Sequence, residues 1–210
     1  MAITTYAELQ TAVADFAHRS DLTTIMPTLI RMAEDVIYGD LDSRQQDTIA
    51  SLSTVADTET VALPTDFMSF RSLSISSGTR HETLTFLSPT QYAQEFQYDY
   101  TGTPRAYTVI GSDIKLQPIP DDAYTLKAIY EAKIPNLSVS NTTNWLLTSY
   151  PSAYLYATLM QVAIYTKDAE GGATWGNLYG KVIQGINVND WVTGNTMQVK
   201  SDVNLTNIRL

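Results

Sequence analysis

The spacing of the apolar residues changes twice along this chain, and the change limits the folds that it can adopt. Apolar residues recur at helical spacing before residue 41 and again after residue 151. Between about residues 55 and 133, apolar and polar residues alternate instead, as they do in half-buried strands. The pattern therefore predicts a β-rich insertion between two helical segments.

Helix start and stop signals divide the two helical segments into four helices. Thr5 and Glu8 form a capping box at the first start. Pro27 and Pro151 can occupy first-turn positions, where a missing N–H carries no cost. The pair Gly171-Gly172 separates the last two helices. The predicted helices cover residues 6–17, 27–41, 151–166 and 173–188.

The β-rich insertion is predicted to be a small antiparallel meander. The turn Ser77-Gly78-Thr79 joins two strand segments, with glycine supplying the turn conformation. A short helix is expected after the capping box that begins at Ser88. The predicted strands cover residues 70–76, 81–86, 105–110, 114–116 and 124–132. The fold class that follows is α+β, mainly α: a helical bundle with two N-terminal and two C-terminal helices, the inserted meander and an extended C-terminal arm.

The arm is predicted at residues 191–210, and residues 1–190 form the main domain. The arm has no helical stripe, and its apolar residues alternate only in part. This pattern allows strand addition to a partner, with simple terminal disorder as the alternative. The apolar residues that could dock are Met197, Val199, Val203, Leu205, Ile208 and Leu210.

The segment from Asn144 to Ala157 combines a helix start with a band of aromatic residues. One face of this helix is apolar at regular spacing, but the tyrosines spread more widely around it. Tyr and Trp bury large areas while keeping a polar group satisfied, and both are enriched at interfaces. The residues predicted for a subunit or tail interface are Trp145, Tyr150, Tyr154 and Tyr156.

The net charge of −9 lies entirely in the first half of the chain. Residues 1–100 hold 14 acidic and 5 basic residues, whereas residues 101–210 hold 8 of each. Tight binding to nucleic acid needs a basic stripe, and the sequence has none. An acidic surface is compatible with DNA passing by without binding, and also with ordinary solubility.

No group of residues in the sequence selects a catalytic, cofactor-binding or metal site. The chain has no cysteine, and neither His18 nor His81 has a partner at ligand spacing. Asp40, Asp42 and Asp47 could supply oxygen ligands, but they lack the glycine and glutamate of a calcium loop. The sequence also lacks a Gly-x-Ser-x-Gly elbow, a phosphate-binding loop and a His-Glu-x-x-His motif. We therefore predict a protein without enzymatic activity and without a cofactor.

Membrane insertion and export are not predicted. No apolar run approaches the length of about 18 residues that a membrane-spanning helix requires. The N-terminus lacks the basic and apolar regions of a secretory signal. The protein is therefore expected in the cytoplasm where it is made.

A series of short motifs, in this order along the chain, resembles the head-to-tail adaptor (connector) proteins of tailed bacteriophages. The resemblance covers about residues 5–188 and depends on the order of the motifs, because no single one is diagnostic. The motifs are Asp21–Ile37, Leu63–Phe67, Gly102–Tyr107, Gly111–Pro118, Tyr124–Tyr130, Asn144–Leu147, Tyr150-Pro151, Tyr154–Tyr156, Lys167-Asp168 and Trp175.

The resemblance implies a structural protein of the virion, located at the head-tail junction and made in the host cytoplasm. It implies a dodecameric ring that joins the portal protein to a tail nozzle or another tail protein. Double-stranded DNA would pass through the ring without specific binding, and the C-terminal arm would reach the portal. Two alternatives stay open: a tail-associated peptidoglycan hydrolase that uses paired carboxylates, and a binding module of the tail fibre or baseplate.

Overall fold

The computed structural model describes residues 2–77 and 80–194 of the chain. Contacts between residues divide the chain into two compact units. We call Met1–Ser43 together with Leu147–Leu210 the helical unit, and Arg44–Leu146 the sheet unit. The two ends of the sequence therefore belong to one unit, and the middle forms the other.

The described residues contain six α-helices and eight β-strands. None of the helices within these residues is long and apolar enough to cross a membrane. The helices are α1 (Tyr6–Ala17), α2 (Met26–Asp40), α3 (Pro89–Glu95), α4 (Trp145–Ser149), α5 (Pro151–Thr166) and α6 (Ala169–Gly194). The strands are β1 (Asp47–Ser53), β2 (Thr60–Ala62), β3 (Phe67–Ser77), β4 (Arg80–Thr83), β5 (Thr85–Phe86), β6 (Ala106–Ile110), β7 (Asp113–Gln117) and β8 (Thr125–Ala132).

Helix α1 begins at the capping box that the sequence predicts. The Thr5 hydroxyl accepts a hydrogen bond from the Glu8 N–H (3.3 Å), and the Glu8 carboxylate accepts one from the Thr5 N–H (3.0 Å). These bonds satisfy N–H groups that have no partner within the helix itself. The helix ends at His18, which has a left-handed φ of 51°. The predicted bounds of 6–17 are thereby confirmed.

Helix α5 is the central helix of the helical unit. It packs against α1, α2 and α6, and its buried residues extend around most of its circumference. Ala153, Ala157 and Ala163 are buried small residues, which allow neighbouring helices to approach closely. Tyr154 is fully buried on the same helix. The wide spread of aromatic residues around α5 therefore reflects a helix that has neighbours on several sides.

Helix α6 is longer at both ends than the predicted range of 173–188. Gly171 and Gly172 lie within the helix and do not interrupt it, because Asp168 caps its first turn. The Asp168 carboxylate accepts the Gly171 N–H (3.0 Å), and the Asp168 carbonyl accepts the Gly172 N–H (3.0 Å). The break between α5 and α6 falls instead at Lys167, which has a left-handed φ of 60°. At the other end, residues 191–194 of the predicted arm continue the helix.

Three hydrogen bonds attach the end of α2 to α6. The Tyr179 hydroxyl donates to the Asp40 carboxylate (3.1 Å), and the Asn187 amide donates to the Asp40 carbonyl (2.9 Å). The Asp42 N–H in turn donates to the Asn187 side-chain oxygen (3.1 Å). Burial raises the pKa of the Tyr179 hydroxyl above its ordinary value, and the neighbouring Asp40 carboxylate raises it further. Tyr179 therefore stays protonated and remains a hydrogen-bond donor at neutral pH.

The sheet unit contains two four-stranded sheets. The first has the order β1-β8-β3-β4 and is antiparallel throughout. The second has the order β2-β7-β6-β5, in which only the β5–β6 pair is parallel. Side chains from both sheets form one apolar core. Its buried members are Leu73, Ile75, Leu84, Tyr107, Ile114, Leu116, Leu126, Ala128 and Tyr130.

The predicted fold class, a mainly α helical bundle with a small inserted meander, is wrong. Two sheets of four strands make the middle of the chain a substantial β structure. β1 lies before the predicted insertion, and its mostly exposed Ser, Thr and Ala residues give a weak alternation signal. The predicted strand 81–86 is interrupted at Leu84, so that β4 and β5 belong to different sheets.

We expect the substitution Gly180→Ala to raise the free energy of unfolding by about 0.5–1 kcal/mol. Gly180 lies inside α6, and a Cβ at this position would meet no atom within 4 Å. Alanine therefore lowers the entropy of the unfolded chain without a steric cost. Urea denaturation followed by circular dichroism measures the change. In the matched variant Gly171→Ala, the added Cβ would collide with the Asp168 carboxylate, so we expect a lower free energy of unfolding. A higher free energy of unfolding in both variants would contradict this prediction.

Candidate interaction surfaces

The four aromatic residues that the sequence predicts for an interface do not share one environment. Tyr154 is fully buried, so its ring belongs to the core of the helical unit and is not available at a surface. Tyr150 and Tyr156 are half-buried in the same unit. Trp145 is half-buried and opens α4 at the end of the sheet unit. The six predicted arm residues, from Met197 to Leu210, lie outside the described residues.

Tyr156 belongs to an aromatic cluster that it forms with Phe16 and Trp175. The rings of Tyr156 and Trp175 are stacked, with centroids 6.0 Å apart and planes at 19°. Phe16 contacts the Trp175 ring edge-on at 6.4 Å and is 51% exposed. Phe16 follows Leu9 and Val13 at helical spacing, a pattern that predicts a core position, so its exposure is not evident from the sequence. This aromatic cluster brings three helices, α1, α5 and α6, to one partly exposed apolar site.

A groove of about 640 Å³ lies beside the aromatic cluster. The buried side chains of Leu159 and Val162 line it together with Trp175. Its polar lining includes His18 and Arg19, at the end of α1. An apolar or aromatic side chain of another protein would bury its surface here against Leu159, Val162 and Trp175.

Arg19 is held in place by an exposed ion pair with Asp21. The guanidinium donates two hydrogen bonds to the Asp21 carboxylate, at 2.7 Å and 2.6 Å. These hydrogen bonds lower the pKa of the Asp21 carboxyl group to about 2. Exposed ion pairs of this kind contribute little to stability, so the main consequence is a fixed orientation of Arg19 beside the groove.

The sheet unit carries a second exposed aromatic region, the segment Phe96–Tyr100 that follows α3. The Phe96 ring lies 5.3 Å from the ring of Tyr92 and 6.5 Å from that of Tyr100. Tyr92 anchors the segment, because its buried hydroxyl donates to the Leu116 carbonyl (3.0 Å). Tyr98 is 82% exposed and Tyr100 is 52% exposed. Large aromatic side chains held open in this way are typical of protein contact sites.

A third candidate surface is the outer edge of β1. β1 ends the first sheet, and among the residues that the structure describes its only neighbour in the strand order is β8. Ile49, in the middle of β1, is 61% exposed, and the register with β8 continues without a bulge from Asp47 to Ser53. The outward-facing N–H and C=O groups of such an edge strand can pair with a further strand.

The acidic residues that sequence reasoning considered for metal binding take part in structural contacts. Asp40 accepts the Tyr179 hydrogen bond, and Asp47 accepts a hydrogen bond from the Arg71 guanidinium (3.1 Å). Within residues 2–77 and 80–194, no group of three or more His, Cys, Asp or Glu residues could hold a metal ion. Glu34 is fully buried and pairs with Arg31 at 3.3 Å, so a polymeric substrate could not reach this carboxylate.

Exposed aromatic side chains and an open sheet edge are typical of proteins that bind other proteins. The family model described as SU10 adaptor protein matches residues 4–200, and the chain belongs to this family of phage head-tail adaptors. The adaptor family that the motif order predicts is thereby confirmed. No curated protein matches the chain. Members of the family are structural proteins of the virion that interact with other capsid or tail proteins.

Proposed function

We propose that this adaptor forms a dodecameric ring that links the portal to the tail and surrounds the DNA channel. The observation that carries the proposal is the family match over residues 4–200. The exposed aromatic cluster on the helical unit and the exposed segment Phe96–Tyr100 on the sheet unit supply candidate contacts between copies. A ring repeats each contact many times, so modest individual contacts suffice for a stable assembly.

The charge distribution supports the channel part of the proposal. Residues 1–43 contain seven acidic and two basic residues, and Asp15, Asp21 and Asp35 are exposed among them. Acidic side chains repel the phosphate backbone, so DNA could pass a wall of this kind without being held. The channel part of the proposal rests on the adaptor family.

Native mass spectrometry of the purified protein with portal present tests the ring. The proposal predicts a complex that contains twelve copies of the 23.3 kDa chain. Trp175→Ala should weaken assembly, because it removes the indole side chain that both Phe16 and Tyr156 contact. Tyr165→Ala, an exposed tyrosine on α5 outside the aromatic cluster, is the matched control. A protein that stays monomeric with portal present would overturn the proposal.

We further propose that the C-terminal arm makes the contact with the portal. Because residues 191–194 belong to α6, this proposal concerns residues 195–210. We expect a chain truncated after Gly194 to keep its fold and to lose co-sedimentation with portal rings. Co-sedimentation should also be lost when the six apolar arm residues, Met197, Val199, Val203, Leu205, Ile208 and Leu210, are replaced by serine.

The matched control for the arm replaces only polar residues, namely Gln198, Asn204 and Thr206, by serine. This variant keeps the length and the apolar residues of the arm, so it should bind portal as the unchanged chain does. Undiminished binding of the truncated chain would show that the portal contact lies elsewhere. Such a result would leave the ring proposal standing, because ring formation is measured separately.

A further inference from the structure

The outer edge of β1 differs from the other sheet edges of the described residues. The second sheet ends in β2 and β5, which have three and two residues. The other end of the first sheet is β4, a four-residue strand with the sequence Arg-His-Glu-Thr. Short length and charged residues are the means by which proteins keep edges from pairing. β1 has seven residues and only one charged residue, Asp47, at its start.

Nothing in the sequence of β1 prevents the addition of another strand. The strand contains no Pro, Gly or Lys, and its pairing with β8 has no bulge. Ile49 exposes 61% of its surface beside the free edge. A long, regular and partly apolar edge of this kind is expected to pair with another strand, in a native assembly or by aggregation.

The two faces of the sheet beside β1 define what an added strand must look like. On one face, Ala50 and Leu52 pack against the apolar core of the sheet unit. On the other, Ile49 lies opposite Ile129 of β8, and Asp47 accepts a hydrogen bond from Arg71. An added strand would thus continue a core on one side and meet solvent on the other. Alternating apolar and polar residues satisfy this requirement.

The C-terminal arm contains a segment with this alternation. Between residues 197 and 205, every second position is apolar except position 201, which is serine; these apolar residues are Met197, Val199, Val203 and Leu205. The positions between them hold Gln, Lys, Asp and Asn. Residues 195–210 include neither Pro nor Gly. The alternation stops after Leu205, because the next apolar residue is Ile208. The sequence of the arm therefore contains an alternating part, residues 197–205, and two apolar residues beyond it, Ile208 and Leu210.

We propose that residues 197–205 of one copy add as a strand to β1 of a neighbouring copy. This inference rests on the proposed ring, in which every copy has such a neighbour. Residues 195–210 would span roughly 50 Å if extended, which is longer than the seven-residue strand β1 that they would pair with. The strand would tie neighbouring copies together and leave Ile208 and Leu210 for the portal contact.

Cysteine cross-linking tests the proposal directly, because the unchanged chain contains no cysteine. Ser51→Cys places one thiol in the middle of β1. A second set of chains carries a single cysteine at each of residues 199–203, which samples both faces of the arm strand. The two kinds of chain are mixed, assembled with portal and oxidised. The yield of mixed disulfide dimers should be high at every second arm position and low between them. At the high positions it should be at least about tenfold above the background yield.

Thr83→Cys, on the exposed edge strand β4, is the matched control and should give only background cross-linking with the same arm variants. Three results overturn the proposal. The first is background yield at every arm position. The second is cross-linking of Ser51→Cys chains only with one another. The third is found with a chain that carries both cysteines, if its disulfides form only within a single chain.

Native mass spectrometry of the same samples separates this inference from the proposed function. Rings of twelve without the mixed disulfide would overturn the strand proposal and leave the ring standing. Mixed disulfides in assemblies of another size would support the strand and overturn the dodecamer. Monomers without cross-links would overturn both.

Discussion

Tyr154→Ala is expected to lower the free energy of unfolding by about 3–5 kcal/mol, as truncation of large buried aromatic residues does. Tyr154 is fully buried on α5, which packs against α1, α2 and α6. Removing the ring forfeits its burial and leaves a cavity that three neighbouring helices cannot fill without moving. Urea denaturation followed by circular dichroism measures the loss.

Tyr165→Ala is the control for this substitution, because Tyr165 lies on the same helix and is 56% exposed. It should change the free energy of unfolding by no more than about 0.5 kcal/mol. Tyr154→Phe keeps the ring and isolates the contribution of the hydroxyl. If Tyr154→Ala proved as stable as Tyr165→Ala, the ring would not be part of the core. If Tyr154→Ala also failed to assemble, we would attribute that loss to the unfolded protein and not to a missing interface contact.

Leu126→Ala is expected to destabilise the sheet unit by about 2–5 kcal/mol. Leu126 lies on β8, the central strand that pairs with both β1 and β3, and its side chain is fully buried in the apolar core. Alanine would leave a cavity where side chains from both sheets meet. Amide hydrogen exchange, read by mass spectrometry of peptides from each unit, measures where protection is lost.

Ile110→Ala is the matched control, since Ile110 lies at the end of β6 and is 53% exposed. Its protection pattern should resemble that of the unchanged chain. We expect Leu126→Ala to lower protection first in peptides from residues 44–146. An equal loss in both units would show that they unfold as one cooperative body, contrary to this prediction.

The sequence predicts the helical unit well because its signals are local. The Thr5–Glu8 capping box places α1 to the residue, and Pro151 correctly marks the start of α5. Helix α6 is less well predicted, because glycine propensity favours a break at Gly171-Gly172. The hydrogen bond that the Gly171 N–H donates to the Asp168 carboxylate overrides that propensity, and no periodic pattern reports such a bond.

The sheets are predicted less well because their strands are stabilised by distant partners. β1 consists largely of exposed polar residues, and what defines it as a strand is its pairing with β8 along its whole length. The division of segment 81–86 at Leu84 likewise depends on which strands lie beside each half. The strand propensity of a residue depends on its neighbours across the strand and on the same face. A short stretch of sequence does not identify those neighbours.

Burial explains why only part of the predicted interface reaches a surface. The number of aromatic residues around α5 exceeds what a helix with one buried face needs, and this excess led to the interface prediction. Because α5 has neighbours on several sides, Tyr154 is used inside the unit. The exposed residue of the aromatic cluster is Phe16, which helical spacing alone assigns to a core stripe. The interface role of Tyr150, Tyr156 and Trp145 stays a prediction.

The division of the chain into two units affects the order in which they can fold during synthesis. The sheet unit is contiguous in sequence, so all of its strands have been made once the ribosome has passed Leu146. The helical unit is discontinuous, because α1 and α2 pack on α5, which is translated after the whole sheet unit. Domains generally fold as units while the chain emerges. The first helices of this adaptor to leave the ribosome are therefore among the last parts to reach their native packing.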